Sequence, residues 1–185
     1  MNAHVDAPTS VVDLVLQQLK QRLGSAQSAQ AQGFATHFFR RVSADDLAAR
    51  PVEDWVALLI SLLEFVRVRK PGVPAVRVFN PTHEHDGWDS GHTVVDIVTE
   101  DMPFLVDSVG IAIAQAQLLV YSAVHPVYSV ERDPGGHILA LSAEGVGKGG
   151  IESLMHFEVD RVGEPAERVR LEQSVRAALA DVAAC

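Results

Sequence analysis

Residues 92–123 read HTVVDIVTEDMPFLVDSVGIAIAQAQLLVYSA, and their pattern decides the fold. His92 to Asp101 is rich in β-branched residues and predicts a strand. Met102-Pro103 then opens a helix. Its apolar positions Leu105, Val109, Ala112 and Ala116, with Ile113 beside them, recur at helical spacing. From Leu118 the β pattern returns and runs to Arg132. His125-Pro126 interrupts it, and a proline there removes a ladder donor, so a bulge or an edge position is expected. Strand, helix and strand therefore follow one another within about forty residues.

The same reading extends in both directions. Upstream, Ala75 to Phe79 predicts a strand, followed by a polar loop through Gly91. Downstream, Asp133-Pro134-Gly135-Gly136 is a turn, and His137 to Ser142 a returning strand. Glu144 to Gly150 is a glycine-rich loop, and Ser153 to Val162 another strand. Gly163-Glu164-Pro165 introduces a last helix with Leu171, Val175, Ala178, Leu179 and Val182 on one face. The chain stops inside that helix without a stop signal, which suggests a piece of something longer or a sheet lacking a final strand. The expected architecture of residues 73–185 is α+β, a mostly antiparallel sheet with helices on one face, of the ferredoxin-like kind.

Residues 1–72 predict a separate helical segment. Residues 1–10 read as a loose polar lead. Ser10-x-x-Asp13 resembles a capping box, and Val12, Leu16, Leu19 and Leu23 follow the helical period. Gly24 to Gly33 (GSAQSAQAQG) is small and polar and reads as a linker. Phe34, Phe38, Phe39 and Val42 mark a short helix, and Ser43-x-x-Asp46 caps another turn. Pro51, Glu53 and Asp54 suit the start of a helix whose apolar face is Trp55, Leu58, Leu59, Leu62 and Val66. Arg67, Arg69 and Lys70 suit its negative pole, and Pro71-Gly72 stops it.

Composition removes several functions. Acidic residues outnumber basic ones by 24 to 15, and no basic stripe exists, so the chain is a poor nucleic-acid binder. No uncharged apolar run approaches about 18 residues, so no membrane span is expected. No signal peptide is visible, which makes the cytoplasm the expected location. The single cysteine, Cys185, excludes a disulfide framework and a cysteine zinc site, and at a terminus is a poor nucleophile.

The motifs with chemical potential are few. Gly145-Val146-Gly147-Lys148-Gly149-Gly150 matches G-x-G-x-x-G, yet a strand follows it where the dinucleotide fingerprint needs a helix. It reads as a flexible hairpin, and no cofactor is assigned to the segment. His83-Glu84-His85-Asp86 with His92 is the densest set of metal-capable side chains, but its spacing matches no ligand motif. A metal-dependent hydrolase on His83, His85 and His92 stands as one reading, and a solvated polar loop as the other. Asp107, Ser108, His125 and His156 have no spacing that ties them into a catalytic group, so no catalytic residue is assigned. His125 and His156, in β runs, read as packed, hydrogen-bonded residues.

The most informative corner joins the strand end to the helix start. Asp101, Met102, Pro103, Phe104, Asp107 and Ser108, with His125, form a candidate effector or domain-interface corner, because helix N–H groups there carry partial positive charge. The plain alternative is that Asp101 caps the helix and Pro103 starts it.

At these residues a resemblance enters. Val94 to Ala123 resembles the opening strand, helix and strand of an ACT domain, a small unit that binds amino acids and regulates metabolic enzymes. Asp101, Met102 and Pro103 fit its Asp-x-Pro-Gly turn; Phe104 replaces the glycine, where its bulk would fill the corner and turn the surface toward packing. A closer resemblance is to the N-terminal region of the large bacterial NAD-specific glutamate dehydrogenases. It rests on Asn80-Pro81-Thr82, Asp86-Gly87-Trp88, His92-Thr93-Val94, Asp101 to Val109, His125-Pro126 and Glu152-Ser153 to His156. Ala44 to Leu47 and Pro51 to Trp55 add to it. It covers the chain from about Phe34 onward. It implies a non-catalytic, regulatory or architectural ACT-like domain of an oxidoreductase of amino-acid metabolism. The whole enzyme would oxidatively deaminate L-glutamate to 2-oxoglutarate and ammonia with NAD. Its partners would be the downstream domains of the same polypeptide, with an amino-acid effector in prospect. Edge strands of such sheets can pair between subunits, which leaves room for a homo-oligomer. The alternative is a freestanding amino-acid-binding module.

Overall fold

A computed structural model describes residues 10–184. The readings of the polar lead before Ser10 and of Cys185 lie outside the described residues. The elements are α1 (Val11–Arg22), α2 (Ser25–Phe39), α3 (Ala44–Ala49), α4 (Val52–Val66), β1 (Ala75–Phe79), β2 (Thr93–Glu100), α5 (Leu105–Gln115), β3 (Val120–Val124), β4 (Val127–Arg132), β5 (Ile138–Ala143), β6 (Gly150–Val159) and α6 (Pro165–Ala183). All strand pairings are antiparallel.

β6 is the axis of the sheet. The strand order is β1-β2-β6-β4-β5, and β3 also pairs with β6. One side of β6 meets β2 from Thr93 opposite Val159 to Glu100 opposite Glu152. The other side meets β3 over Val159 to His156 and β4 over Ser153 to Gly150. β3 and β4 are thus one β run divided at His125-Pro126. Leu154 N–H still donates to Pro126 O at 3.0 Å, so the proline interrupts the run without leaving β6. The pattern agrees with a proline that lacks a donor but keeps its acceptor.

Each face of the sheet is covered. Val95, Ile97, Met155, Phe157 and Val159 pack with Leu105, Val109 and Ile113 of α5 and Leu171, Val175 and Leu179 of α6. The alternate residues Val94, Val98 and Leu154 face the helical segment, among Phe34, Phe38, Trp55, Leu58, Leu59 and Leu62. Period-two alternation along β2 and β6 sorts these sets. The helical segment therefore lies on the face opposite α5 and α6, a placement that element order alone did not give.

Local signals account for most boundaries. Ser10 and Asp13 form the reciprocal capping box, and Ser43 Oγ accepts from Asp46 N–H at 3.0 Å. Two readings need correction. The expected linker Gly24–Gly33 is the first part of α2. Ser28, Ala31, Ala35 and Phe38 are buried at helical spacing, so the core holds a helix that alanine and glutamine already favour despite Gly33. The β6 strand starts at Gly150, not Ser153, because Val130 pairs with Gly150 on β4.

Candidate functional site

The corner after β2 is built as follows. Asp101 N–H donates to Ile151 O at 2.9 Å, which continues the ladder past Glu100. The Asp101 carboxylate does not cap α5. It accepts from the Ser153 hydroxyl, and Ser153 Oγ lies 3.0 Å from His125 Nε2. A hydroxyl has one proton. With that proton given to Asp101, Ser153 accepts from His125, which assigns the His125 proton to Nε2. Burial lowers the His125 pKa, opposed by Asp101 and assisted by Arg41. The imidazole is therefore neutral at neutral pH.

This Asp–Ser–His order is not a nucleophilic relay, which needs the histidine between the other two. Ser153 is also fully buried. The relay instead ties the end of β2, the β3–β4 junction and β6 together. Sequence spacing could not reveal it, because Ser153 lies 52 residues from Asp101 and 28 from His125.

The other corner residues point elsewhere. Met102 packs beside the α5–α6 core. Pro103 and Asp107 are exposed and Ser108 is partly buried. The helix begins at Leu105, two residues after Pro103, and Phe104 is its N-cap residue without a side-chain cap bond. Phe104 has φ 68°, the left-handed region, and is 73% exposed. This explains physically why glycine suits the position and why phenylalanine there is strained. Its ring does not fill the corner; it stands outside it.

Of the metal-capable groups, His83, Asp86 and His92 have structural partners. His83 Nε2 lies 3.1 Å from Asp54 Oδ1, and the His92 ring lies over Tyr121 at 4.3 Å. Among the described residues, no group of three or more His, Cys, Asp or Glu side chains is arranged to hold a metal. The glycine-rich motif is the β5–β6 connection, with Gly145 and Gly147 at positive φ; it is not the expected hairpin, because β5 and β6 pair with opposite sides of β4 and the loop passes from one side to the other.

The densest charge chemistry was not singled out from the sequence. Asp96, Glu152, His156 and Glu158 all sit buried on the sheet face that meets the helical segment. His156 Nδ1 is 2.6 Å from Asp96 Oδ1, and Arg77 Nε donates to Asp96 Oδ2 at 2.8 Å. Arg50 Nη2 donates to Glu158 at 2.5 Å. Burial alone would lower the His156 pKa; the Asp96 carboxylate, then Glu158, overcome it and raise it to about 9. Burial would raise Glu158, but His156 and then Arg50 bring it to about 2. At the far end of β6, Glu152 receives Arg132 and Arg69. Arg69 therefore pairs with a buried carboxylate and does not serve the negative pole of α4. The available signal was the placing of charges at alternate positions of β2 and β6.

These elements define an ACT-like α+β domain whose buried polar groups serve packing. The chain matches the family described as "Glutamate dehydrogenase, ACT1 domain" over residues 34–175, and it belongs to that family. It is similar to the NAD-specific glutamate dehydrogenase of Halomonas elongata, with 36% identity over 97% of this chain and 11% of that protein. It is also similar to the NAD-specific glutamate dehydrogenase of Pseudomonas aeruginosa, with 33% identity over 89% of this chain and 10% of that protein. The chain thus spans about a tenth of the length of these curated relatives. No solved structure matches it. No helix among the described residues is long and apolar enough to cross a membrane.

Proposed function

We propose that this chain is the N-terminal, non-catalytic domain of a large NAD-specific glutamate dehydrogenase, with a regulatory and architectural role. The parent enzyme would oxidise L-glutamate to 2-oxoglutarate and ammonia in the cytoplasm, with NAD bound by other parts of the polypeptide. The observation that carries this reading is the ACT1 match over residues 34–175 in a chain equal to about a tenth of its relatives. The polar groups support it, because Asp101, His125 and Ser153 are spent on one another. We assign the helical segment to residues 1–72 and the ACT-like part to 73–185. Phe104 and Asp107 offer an outward surface for contact with downstream domains or a second subunit.

The test has two arms. Glutamate-dependent NADH formation is measured for this chain alone and for the intact enzyme carrying Phe104→Asp. The chain alone is expected to form no NADH. The variant enzyme is expected to keep glutamate binding but to change its turnover or its subunit assembly. NADH formation by the chain alone overturns the non-catalytic reading. An intact variant with unchanged turnover and assembly overturns the corner as a contact surface.

A further inference from the structure

α5 covers the sheet with one side and leaves the other bare. Leu105, Val109, Ala112 and Ile113 are buried, while Phe104, Asp107 and Ile111 are exposed. Positions three, four and seven apart share one helix face, so these three form a single outward stripe. Phe104 is 73% and Ile111 58% exposed. The helical rise sets the two apolar groups roughly 10 Å apart along the axis, with the Asp107 carboxylate between them.

Two observations separate this stripe from singly scattered apolar exposure. The first is the backbone of Phe104. Its φ of 68° is strained for a residue with a Cβ, and such residues concentrate at functional contacts. Inside the chain no ring or cation meets the Phe104 side chain among the described residues. The second is charge. Residues 100–108 hold three carboxylates, Glu100, Asp101 and Asp107, and no basic side chain. Glu100 has Arg69 at 3.7 Å, and Asp101 is engaged by Ser153. Asp107 has neither a hydrogen bond nor an ion pair among the described residues. Its place in the first turn suits a carboxylate, and its oxygens stay open to a cation from outside.

We propose that this stripe docks an amphipathic helix from the part of the parent polypeptide beyond residue 185. That helix sets apolar side chains about two turns apart against Phe104 and Ile111, and a Lys or Arg between them against Asp107. Charge complementarity selects the basic residue, and the helical spacing of the apolar pair selects a helical partner. A second copy of this chain is the poorer occupant. A two-fold axis through the stripe would set Asp107 against Asp107, because the carboxylate lies between the two apolar ends. This chain covers 11% and 10% of its curated relatives, so most of such a polypeptide lies elsewhere. A segment of the same chain also docks at high effective concentration. The inference rests on the reading of this chain as one domain of a longer enzyme, and names the partner of its outward surface.

In the intact enzyme, a photoreactive benzoylphenylalanine replaces Phe104 in one variant and Ile111 in another, and mass spectrometry identifies the cross-linked peptides. The same replacement of Leu139 on β5, 68% exposed, is the control. Both stripe positions are expected to join one segment beyond residue 185 that carries a Lys or Arg, and the control is expected not to reach it. Asp107→Lys is expected to lower both yields at least about five-fold. Exchanging that segment's basic residue for Asp in the same protein is expected to restore them. Circular dichroism of this chain checks each fold; should Asp107→Lys fail to fold, Asp107→Asn decides. Glutamate-dependent NADH formation by the unsubstituted enzyme tests the enzyme reading separately. The proposal is overturned if neither stripe position cross-links, or if both join residues 1–185 of a second copy. It is equally overturned by a joined segment without a basic residue, or by yields indifferent to the loss of the Asp107 charge.

Discussion

Replacing Glu152 by glutamine tests the ionic seam directly. The Glu152 side chain is 6% exposed, and its partners Arg69 and Arg132 are 5% and 8% exposed. Oε1 receives Arg69 Nη2 at 2.9 Å and Arg132 Nε at 2.7 Å; Oε2 receives Arg132 Nη2 at 2.7 Å. Glutamine keeps the volume but removes the charge, and its amide nitrogen would oppose a guanidinium donor. Breaking a buried ion pair from one side costs about 3–5 kcal/mol, because the other charge stays buried. Arg132 retains Gly136 O at 2.8 Å and Val66 O at 3.0 Å, and Arg69 has Glu100 at 3.7 Å. These partners place the expected loss near the lower limit, about 3 kcal/mol.

For a domain of this size that is a fall in Tm of roughly 6–12 °C. Urea unfolding followed by tryptophan emission measures the loss at fixed pH. Glu100→Gln is the control, because Glu100 is 57% exposed and its pair with Arg69 should contribute less than about 1 kcal/mol. Burial pushes the Glu152 pKa up, but Arg132 and Arg69 hold it below the ordinary 4.5. A depressed carboxylate contributes stability above 4.5 and loses it as pH falls through its folded value. The two proteins should therefore converge in acid. A loss below about 1 kcal/mol at neutral pH, or one equal to that of the control, refutes the assignment of a stabilising buried charge.

Three further outcomes are expected. The His156 imidazole should titrate near pH 9 by NMR. Its stability contribution is then complete below the ordinary 6.5 and lost as pH rises through about 9, while that of Glu158 is present above 4.5 and lost as pH falls through about 2; a His156 midpoint at or below 6.5 means that burial outweighs the carboxylates. Phe104→Gly should raise stability by up to about 1 kcal/mol in thermal unfolding, since relief of roughly 1–2 kcal/mol of left-handed strain exceeds the entropy cost of glycine; a loss beyond about 1 kcal/mol shows that the exposed ring is anchored. In the glycine-rich β5–β6 connection, a Cβ at Gly149 would lie 2.3 Å from the Val130 carbonyl of β4, whereas at Gly150 it meets open space. Gly149→Ala should cost about 1–3 kcal/mol and Gly150→Ala stay within about 0.5 kcal/mol; equal effects in denaturant unfolding would contradict packing as the reason for glycine.

The strand–helix–strand stretch was legible because β2 and α5 have different apolar periods on either side of Met102-Pro103. The α2 helix was not, because its buried stripe includes Ser28, Ala31 and Ala35, residues too small to register as hydrophobic periodicity. At the corner, the sequence brought Asp101 and His125 into view, but Ser153 joins them through sheet register, a long-range property. His156 read as a packed, bonded residue, and its pair with Asp96 agrees. Its companions Arg50 and Arg77 come from other elements, and only the folded chain sets them opposite one another.

The two faces of the sheet solve the same covering problem differently. Toward α5 and α6 the middle of β2 and β6 presents Val95, Ile97, Met155 and Phe157, apolar groups whose packing tolerates small slides, with the buried hydroxyls of Thr93, Thr99 and Ser153 at the ends. Toward the helical segment the same strands carry Asp96, Glu152, His156 and Glu158, of which Glu158 and Glu152 pair with Arg50 and Arg69 in residues 1–72. Glu152 and Glu158 are six residues apart on β6, roughly 20 Å along the strand. Two bonds at that separation fix the helical segment against both translation and rotation, which an apolar contact alone does not do. Tyr128 Oη donating to Phe34 O at 3.0 Å, and His37 Nε2 donating to Val127 O at 2.8 Å, add directional ties from β4. We infer that the boundary at residue 72 divides two sequence patterns within one cooperative unit. Removing residues 1–72 would leave Glu152 with Arg132 but without Arg69, and Glu158 with His156 but without Arg50, on a sheet face stripped of its apolar cover.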